Sequence, residues 1–140
     1  MPKSYSLGLF LLRVTFGLVI AAHGAYHLAH FQQLVGFAGS RWQAAGAIAG
    51  ELGGGIGLAV GLLTRLAGVG YGVVMLAIAF THNVTGGVAH TILSIGHGGA
   101  AVGFEYPFLV GVLGIAFLFT GPGDWSLDGL LFSKQNRRSR

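Results

Sequence analysis

The sequence predicts an all-α membrane protein, an antiparallel bundle of four transmembrane helices, and three observations carry that expectation. Of 140 residues, 53% are hydrophobic and only 9% charged, against about a quarter charged in an ordinary soluble domain. Four apolar stretches follow one another, each near the roughly 20 residues needed to cross about 30 Å of hydrocarbon. Glycine is abundant, with 26 residues, as suits lipid, where small residues let helix backbones approach closely. Four acids and eight Lys/Arg cannot clothe a water-facing surface, and so hydrophobic a chain is not disordered either.

The first stretch runs from about Ser6 to His27, interrupted by Arg13 and His23. Leu28 to Trp42 reads as a connection. The second stretch runs from about Ala44 to Leu63 and holds one acid, Glu51. Thr64-Arg65 is a short link, so the third stretch, Leu66 to His82, must return antiparallel to the second. Asn83 to Gly99 reads as a loop containing Gly and His. The fourth stretch, Ala100 to Thr120, is stopped by Gly121-Pro122-Gly123, and residues 121–140 form a basic tail. No linker or internal repeat divides the chain, which reads as one integral membrane domain over 1–140. Gly53, Gly57 and Gly61 form two overlapping GxxxG steps, read as tight packing inside the bundle or as a dimer face.

Lys/Arg bias in short loops and ends sets orientation. With both termini on one side, that side holds Lys3, Arg65, Lys134, Arg137, Arg138 and Arg140, and the other holds Arg41 alone. Cytoplasmic termini follow. The first stretch is longer than a signal-peptide core and lacks a clean A-x-A site, so it reads as a retained span. The absence of cysteine excludes disulfides, thiolate metal sites and a cysteine nucleophile. The basic residues are too scattered for a nucleic-acid groove. At the C-terminus, where they do gather, lipid headgroups are the expected partner.

Titratable residues inside a span are costly and tend to mark a site. At 1.5 Å per residue, His23 and His82 each lie roughly 24 Å above the cytoplasmic ends of their helices. Glu51 and Glu105 lie roughly 10 and 8 Å below the outer surface. Each of the four helices thus contributes one group to a common outer-leaflet layer. His27 and His30 extend it at i+4 and i+7 from His23, and His90 and His97 fall in the outer loop. Arg13 sits about 15 Å deeper than His23 and reaches the bundle interior rather than the layer.

Such a layer suits several ligands. His23, His27, His82 and Glu51 are suitable donors for a divalent metal, and His23 facing His82 can ligate a haem. A quinone needs a His and an acid for its carbonyls and aromatic walls, for which Phe16, Phe80, Phe104, Tyr26 and Tyr106 are at hand. Equally, the polar groups can bind only one another and set helix register.

Several motifs in order resemble the DoxX/DoxD-like family. They are Arg13 to Gly17 with His23-Gly24, then Glu51 with Gly53-Gly54 and Gly61-Leu62-Leu63-Thr64-Arg65, and the ending Gly121-Pro122-Gly123-Asp124-Trp125-Ser126-Leu127-Asp128. The similarity spans nearly the whole chain. It implies a small four-helix protein of the bacterial inner membrane and an oxidoreductase role. The family's namesakes belong to a thiosulfate:quinone oxidoreductase, and other members are linked to thiol redox or quinone resistance. The resemblance supports Arg13, His23, Glu51, His82 and Glu105 as matching polar positions. The chain departs from the pattern at His27, where members often carry Lys, and in His30, His90 and His97.

The resulting expectation is a membrane oxidoreductase component. It binds a quinone, or else a haem or divalent metal, through His23, Glu51, His82, Glu105 and Arg13, and it exchanges electrons with a partner protein. No catalytic residue is assigned. The alternative is a non-catalytic anchor or assembly subunit, possible as a homo-oligomer, whose polar layer only holds the helices in register. A metal or proton conduit is disfavoured, because the cytoplasmic half offers no polar path beyond Arg13.

Overall fold

Six helices form among the residues that the structure, a computed structural model, describes: 3–82 and 105–136, with backbone alone for 81, 82, 105 and 132–136. They are α1 (Lys3–Ala29), α2 (Phe31–Ala38), α3 (Arg41–Val60), α4 (Thr64–His82), α5 (Glu105–Thr120) and α6 (Leu127–Asn136). The protein is all-helical, as its composition implies. Of the described helices, α1 alone is both long and apolar enough to cross a membrane, while α4 and α5 carry the shorter apolar runs Thr64–Phe80 and Tyr106–Thr120.

Several boundaries differ from the sequence reading. The connection over 28–42 contains α2, because Phe31, Leu34, Val35 and Ala38 recur at helical spacing and Gly39, at φ 79°, supplies the left-handed stop. α3 begins at Arg41 rather than Ala44, since the Ser40 hydroxyl caps it by accepting from Gln43 N–H at 3.2 Å. It also ends earlier. Gly61 takes φ 77° and Leu62 N–H reaches back to the Gly57 carbonyl at 2.7 Å, closing the helix three residues before the expected link. Thr64-Arg65 is therefore the first turn of α4, not a connection. The tail is not uniform either, because it contains α6. Residues 100–104 of the fourth stretch lie outside the described residues.

Glycine decides how the helices pair. A Cβ on Gly17 would stand 2.4 Å from the Ala59 nitrogen, and one on Gly24 would stand 2.9 Å from Glu51 Cβ. α1 and α3 therefore touch backbone to backbone and run antiparallel. Likewise a Cβ on Gly68 would meet the Gly114 carbonyl at 2.8 Å, and one on Gly72 the Gly111 carbonyl at 2.9 Å, which sets α4 antiparallel to α5. The contact on α3 passes through Gly55. Among the described residues, a Cβ on Gly53 would have nothing within 4 Å, and one on Gly57 would meet only the Leu62 carbonyl of its own turn. Of the GxxxG residues, Gly61 packs inward against Arg13 and Ser126, while Gly53 and Gly57 do not take part in the expected packing. At 100° per residue, Gly53 and Gly57 lie roughly 160° round the helix from Gly55.

The two helix pairs meet through Leu9, Phe16, Ile20, Leu58, Val110 and Phe117, all buried. Phe16 sits at the centre, with its ring 5.6 Å from Phe117 and 6.2 Å from Tyr71. This apolar middle separates two polar clusters at opposite ends of α1.

Candidate functional site

The stripe that α1 buries runs Ser6, Leu9, Arg13, Phe16, Gly17, Ile20, Gly24. One further turn brings His27 to the same side. Because Gly24 has no side chain, α3 comes close enough for Glu51 to meet that turn. Glu51, 7% exposed, accepts a hydrogen bond at 2.7 Å from His27 Nδ1. The partner of the acid is therefore His27 rather than His23, because His23 lies about 40° further than His27 from the Gly24 contact on the helix.

His23 instead donates from Nδ1 to the Val19 carbonyl at 3.0 Å. A carbonyl can only accept, so this bond places the proton on Nδ1 and leaves Nε2 facing outward. Tyr106 of α5 lies alongside, its ring stacked on the imidazole at 5.8 Å and its hydroxyl 3.4 Å from Nε2. The His23 and His27 rings are 6.5 Å apart. His30 repeats the pattern, donating from Nδ1 to the Tyr26 carbonyl at 2.9 Å while its ring stacks on Tyr26 at 4.2 Å. One end of the bundle thus carries a buried acid paired with a half-buried imidazole, with a second imidazole and a phenol beside it. Tyr71 of α4 lies within electrostatic reach of Glu51.

The other expected members are placed by backbone alone. The registers Gly24 on Glu51 and Gly72 on Gly111 bring the last residue of α4, His82, and the first of α5, Glu105, to this same end. His90, His97 and Phe104 lie outside the described residues. Of the expected aromatic walls, Tyr106 reaches the site. Phe16 belongs to the middle core, Phe80 packs edge-on to Phe108 at 6.2 Å, and Tyr26 attends His30. Among the described residues no three His, Asp or Glu gather closely enough to hold a metal ion. Tyr71 went unnoticed in the sequence because its neighbourhood depends on how α4 meets α1, which no spacing along α4 encodes.

Arg13 stands at the opposite end and is not brought to His23. It is 1% exposed, donates from Nη2 to the Trp125 carbonyl at 2.6 Å, and has Asp128 nearby. A Cβ on Gly61, whose φ is 77°, would fall 1.4 Å from Arg13 Nη1, so a side chain there would be strained and would displace the guanidinium. The Asp128 carboxylate accepts from the N–H groups of Leu63 at 2.8 Å and Thr64 at 2.9 Å. It caps the start of α4 from 64 residues away, satisfying donors that a helix leaves free at its first turn. Ser6 donates to Asp124. The ending Gly121 to Asp128 therefore fastens α1, α3 and α4 together.

A family model described as DoxX matches residues 8–84, just over half of the chain, from the second turn of α1 to the end of α4. No curated protein and no solved structure matches it.

Proposed function

The chain belongs to the DoxX family, and on that premise we propose that it is a four-span protein of the bacterial inner membrane, with cytoplasmic termini, that binds a quinone at its His/Glu end. The observation that carries this reading is the Tyr106–His23 stack set beside the His27–Glu51 pair. A quinone is a flat ring with two carbonyl acceptors, and it needs an aromatic face and polar hydrogens at one depth. Tyr106 offers both a ring and a hydroxyl. His27, anchored through Nδ1, turns Nε2 away from Glu51, where a proton can be passed on without disturbing the pair. His82 and Glu105, at the same end by backbone register, complete the ligand set. Quinone reduction takes up two electrons and two protons. The imidazoles and carboxylates supply and take up protons, and with no cysteine in the sequence the electrons come from a partner protein, a bound cofactor or a soluble substrate. A haem or divalent metal at the same end is the competing ligand.

A second reading has its own support. Glu51 is already satisfied by His27 under the close approach at Gly24, which is what a pair serving only to register α1 on α3 requires. The chain is then a non-catalytic anchor.

The test is the spectrum, metal content and extractable quinone of the purified protein, repeated for His23→Gln, Tyr106→Phe and His30→Gln. Quinone near stoichiometry, lost in the first two variants and kept in the third, is the expected result. A Soret band selects haem. A protein that carries nothing, with all three variants folding normally, returns the anchor reading.

A further inference from the structure

The seam between α1 and α5 is built differently from the two glycine-packed helix pairs. Among the described residues, Gly17 and Gly24 of α1 press on α3, and Gly111 and Gly114 of α5 press on α4. α1 meets α5 through rings instead, Phe16 against Phe117 in the middle and His23 against Tyr106 near the His/Glu end. Side chains of that size hold two helix axes further apart than glycines do. The middle is closed all the same, because Phe16 and Phe117 are buried. The upper pair is more open, with His23 half-buried and Tyr106 41% exposed.

The outer flank of this seam is apolar. At 100° per residue, Val19 lies about 40° round α1 from His23, and Leu113 and Leu109 lie about 20° and 60° round α5 from Tyr106. All three fall on the sides turned away from the glycine contacts. Val19 is 41% exposed, Leu109 59%, and Leu113 partly buried against the core. Arg13 is the only charged residue between Lys3 and His23, and it is turned inward. After Glu105, α5 carries no charged residue to its end at Thr120. An uncharged strip therefore runs from the His23–Tyr106 rings toward the middle of the bundle, with one side uncovered.

We infer that the ligand enters and leaves sideways, from the bilayer through the α1–α5 seam, and that it is a quinone with a long hydrocarbon tail rather than a small water-soluble one. The inference rests on the quinone reading. The ring lies against His23 and Tyr106, and the tail runs inward past Val19, Leu109 and Leu113 among the acyl chains. Polar groups stripped of their partners in an apolar phase are costly, so the tail must leave without passing Glu51 or Arg13. The α1–α5 flank is a side on which neither stands, whereas the α1–α3 side is closed backbone to backbone at Gly17 and Gly24. Lipid tails are as apolar as leucine, so the seam adds no hydrophobic affinity. The tail's part is to keep the ligand in the hydrocarbon phase, from which the rings are reached.

The test uses the full, unsubstituted chain in phosphatidylcholine vesicles and a benzoquinone whose decyl tail carries a diazirine. Val19 lies about 6 Å inward of His23 and Leu113 about 10 Å inward of Tyr106, both within reach of such a tail. Illumination should label Val19, Leu109 or Leu113, located by mass spectrometry of peptides. Unlabelled decylbenzoquinone at about ten times its Kd should cut that labelling about tenfold. Labelling at Val73 and Val74, exposed on α4, should stay as it was, since it reports probe dissolved in lipid. The same benzoquinone without a tail, added at equal total concentration, should compete at least about tenfold less well, because each methylene favours the bilayer. Competed labelling confined to other positions, or equal competition by the tailless quinone, overturns this route and leaves the quinone reading standing. No competed labelling at any position overturns both.

Discussion

Truncating Glu51 should loosen the bundle by an amount the geometry bounds. A hydrogen bond to a charged group contributes about 1.5–3 kcal/mol, and breaking a fully buried ion pair costs about 3–5 kcal/mol. Glu51 is 7% exposed, but the His27 side chain is 28% exposed, so water can partly replace the lost partner. The lower range applies. Glu51→Ala should therefore cost about 2 kcal/mol, or roughly 4–8 °C in melting temperature, whereas Arg41→Ala, at an exposed position, should shift it little. A double-mutant cycle identifies the partner. Glu51→Ala with His27→Ala should couple by about 1–2 kcal/mol, and Glu51→Ala with His23→Ala by less than about 0.5 kcal/mol. The assay is thermal unfolding of purified protein in one detergent. Equal melting of Glu51→Ala and Arg41→Ala, or stronger coupling to His23 than to His27, would refute the arrangement described above.

Two glycines should respond in opposite ways. Gly17→Ala drives a methyl onto backbone atoms 2.4–2.9 Å away and should cost about 1–3 kcal/mol of thermal stability, while Gly53→Ala meets nothing within 4 Å among the described residues and should be neutral or slightly stabilising. Asp128→Ala strips the cap from two N–H groups of α4 and should cost about 1–2 kcal/mol, with Asp128→Asn in between. Unchanged melting in Asp128→Ala would show that α4 starts without its help. A reporter fused after Arg140 should read cytoplasmic and one inserted at position 87 periplasmic, and the reverse pattern would invert the proposed orientation.

The sequence by itself determined the helical class, the stretches that become α1, α3, α4 and α5, and the stop at Gly121. Apolar runs of that length have few alternatives to helix when water is scarce, and Gly121 adopts the left-handed backbone, as Gly39 and Gly61 do at the ends that the sequence reading did not place. It also placed Arg13 about 15 Å along the first helix from His23, since depth along a helix follows from counting residues. Rotation between helices is another matter. Which of several glycines faces a neighbour depends on how complementary surfaces settle against one another. Gly53-Gly57-Gly61 therefore reads as a contact stripe in one dimension, while the contact itself passes through Gly17, Gly24 and Gly55. The choice of His27 over His23 as partner of Glu51 follows from that rotation. So does the meeting of Asp128 with the first turn of α4. A cap supplied from 64 residues away has no signature in local spacing, because the free N–H groups and the carboxylate are brought together only once the helices have packed.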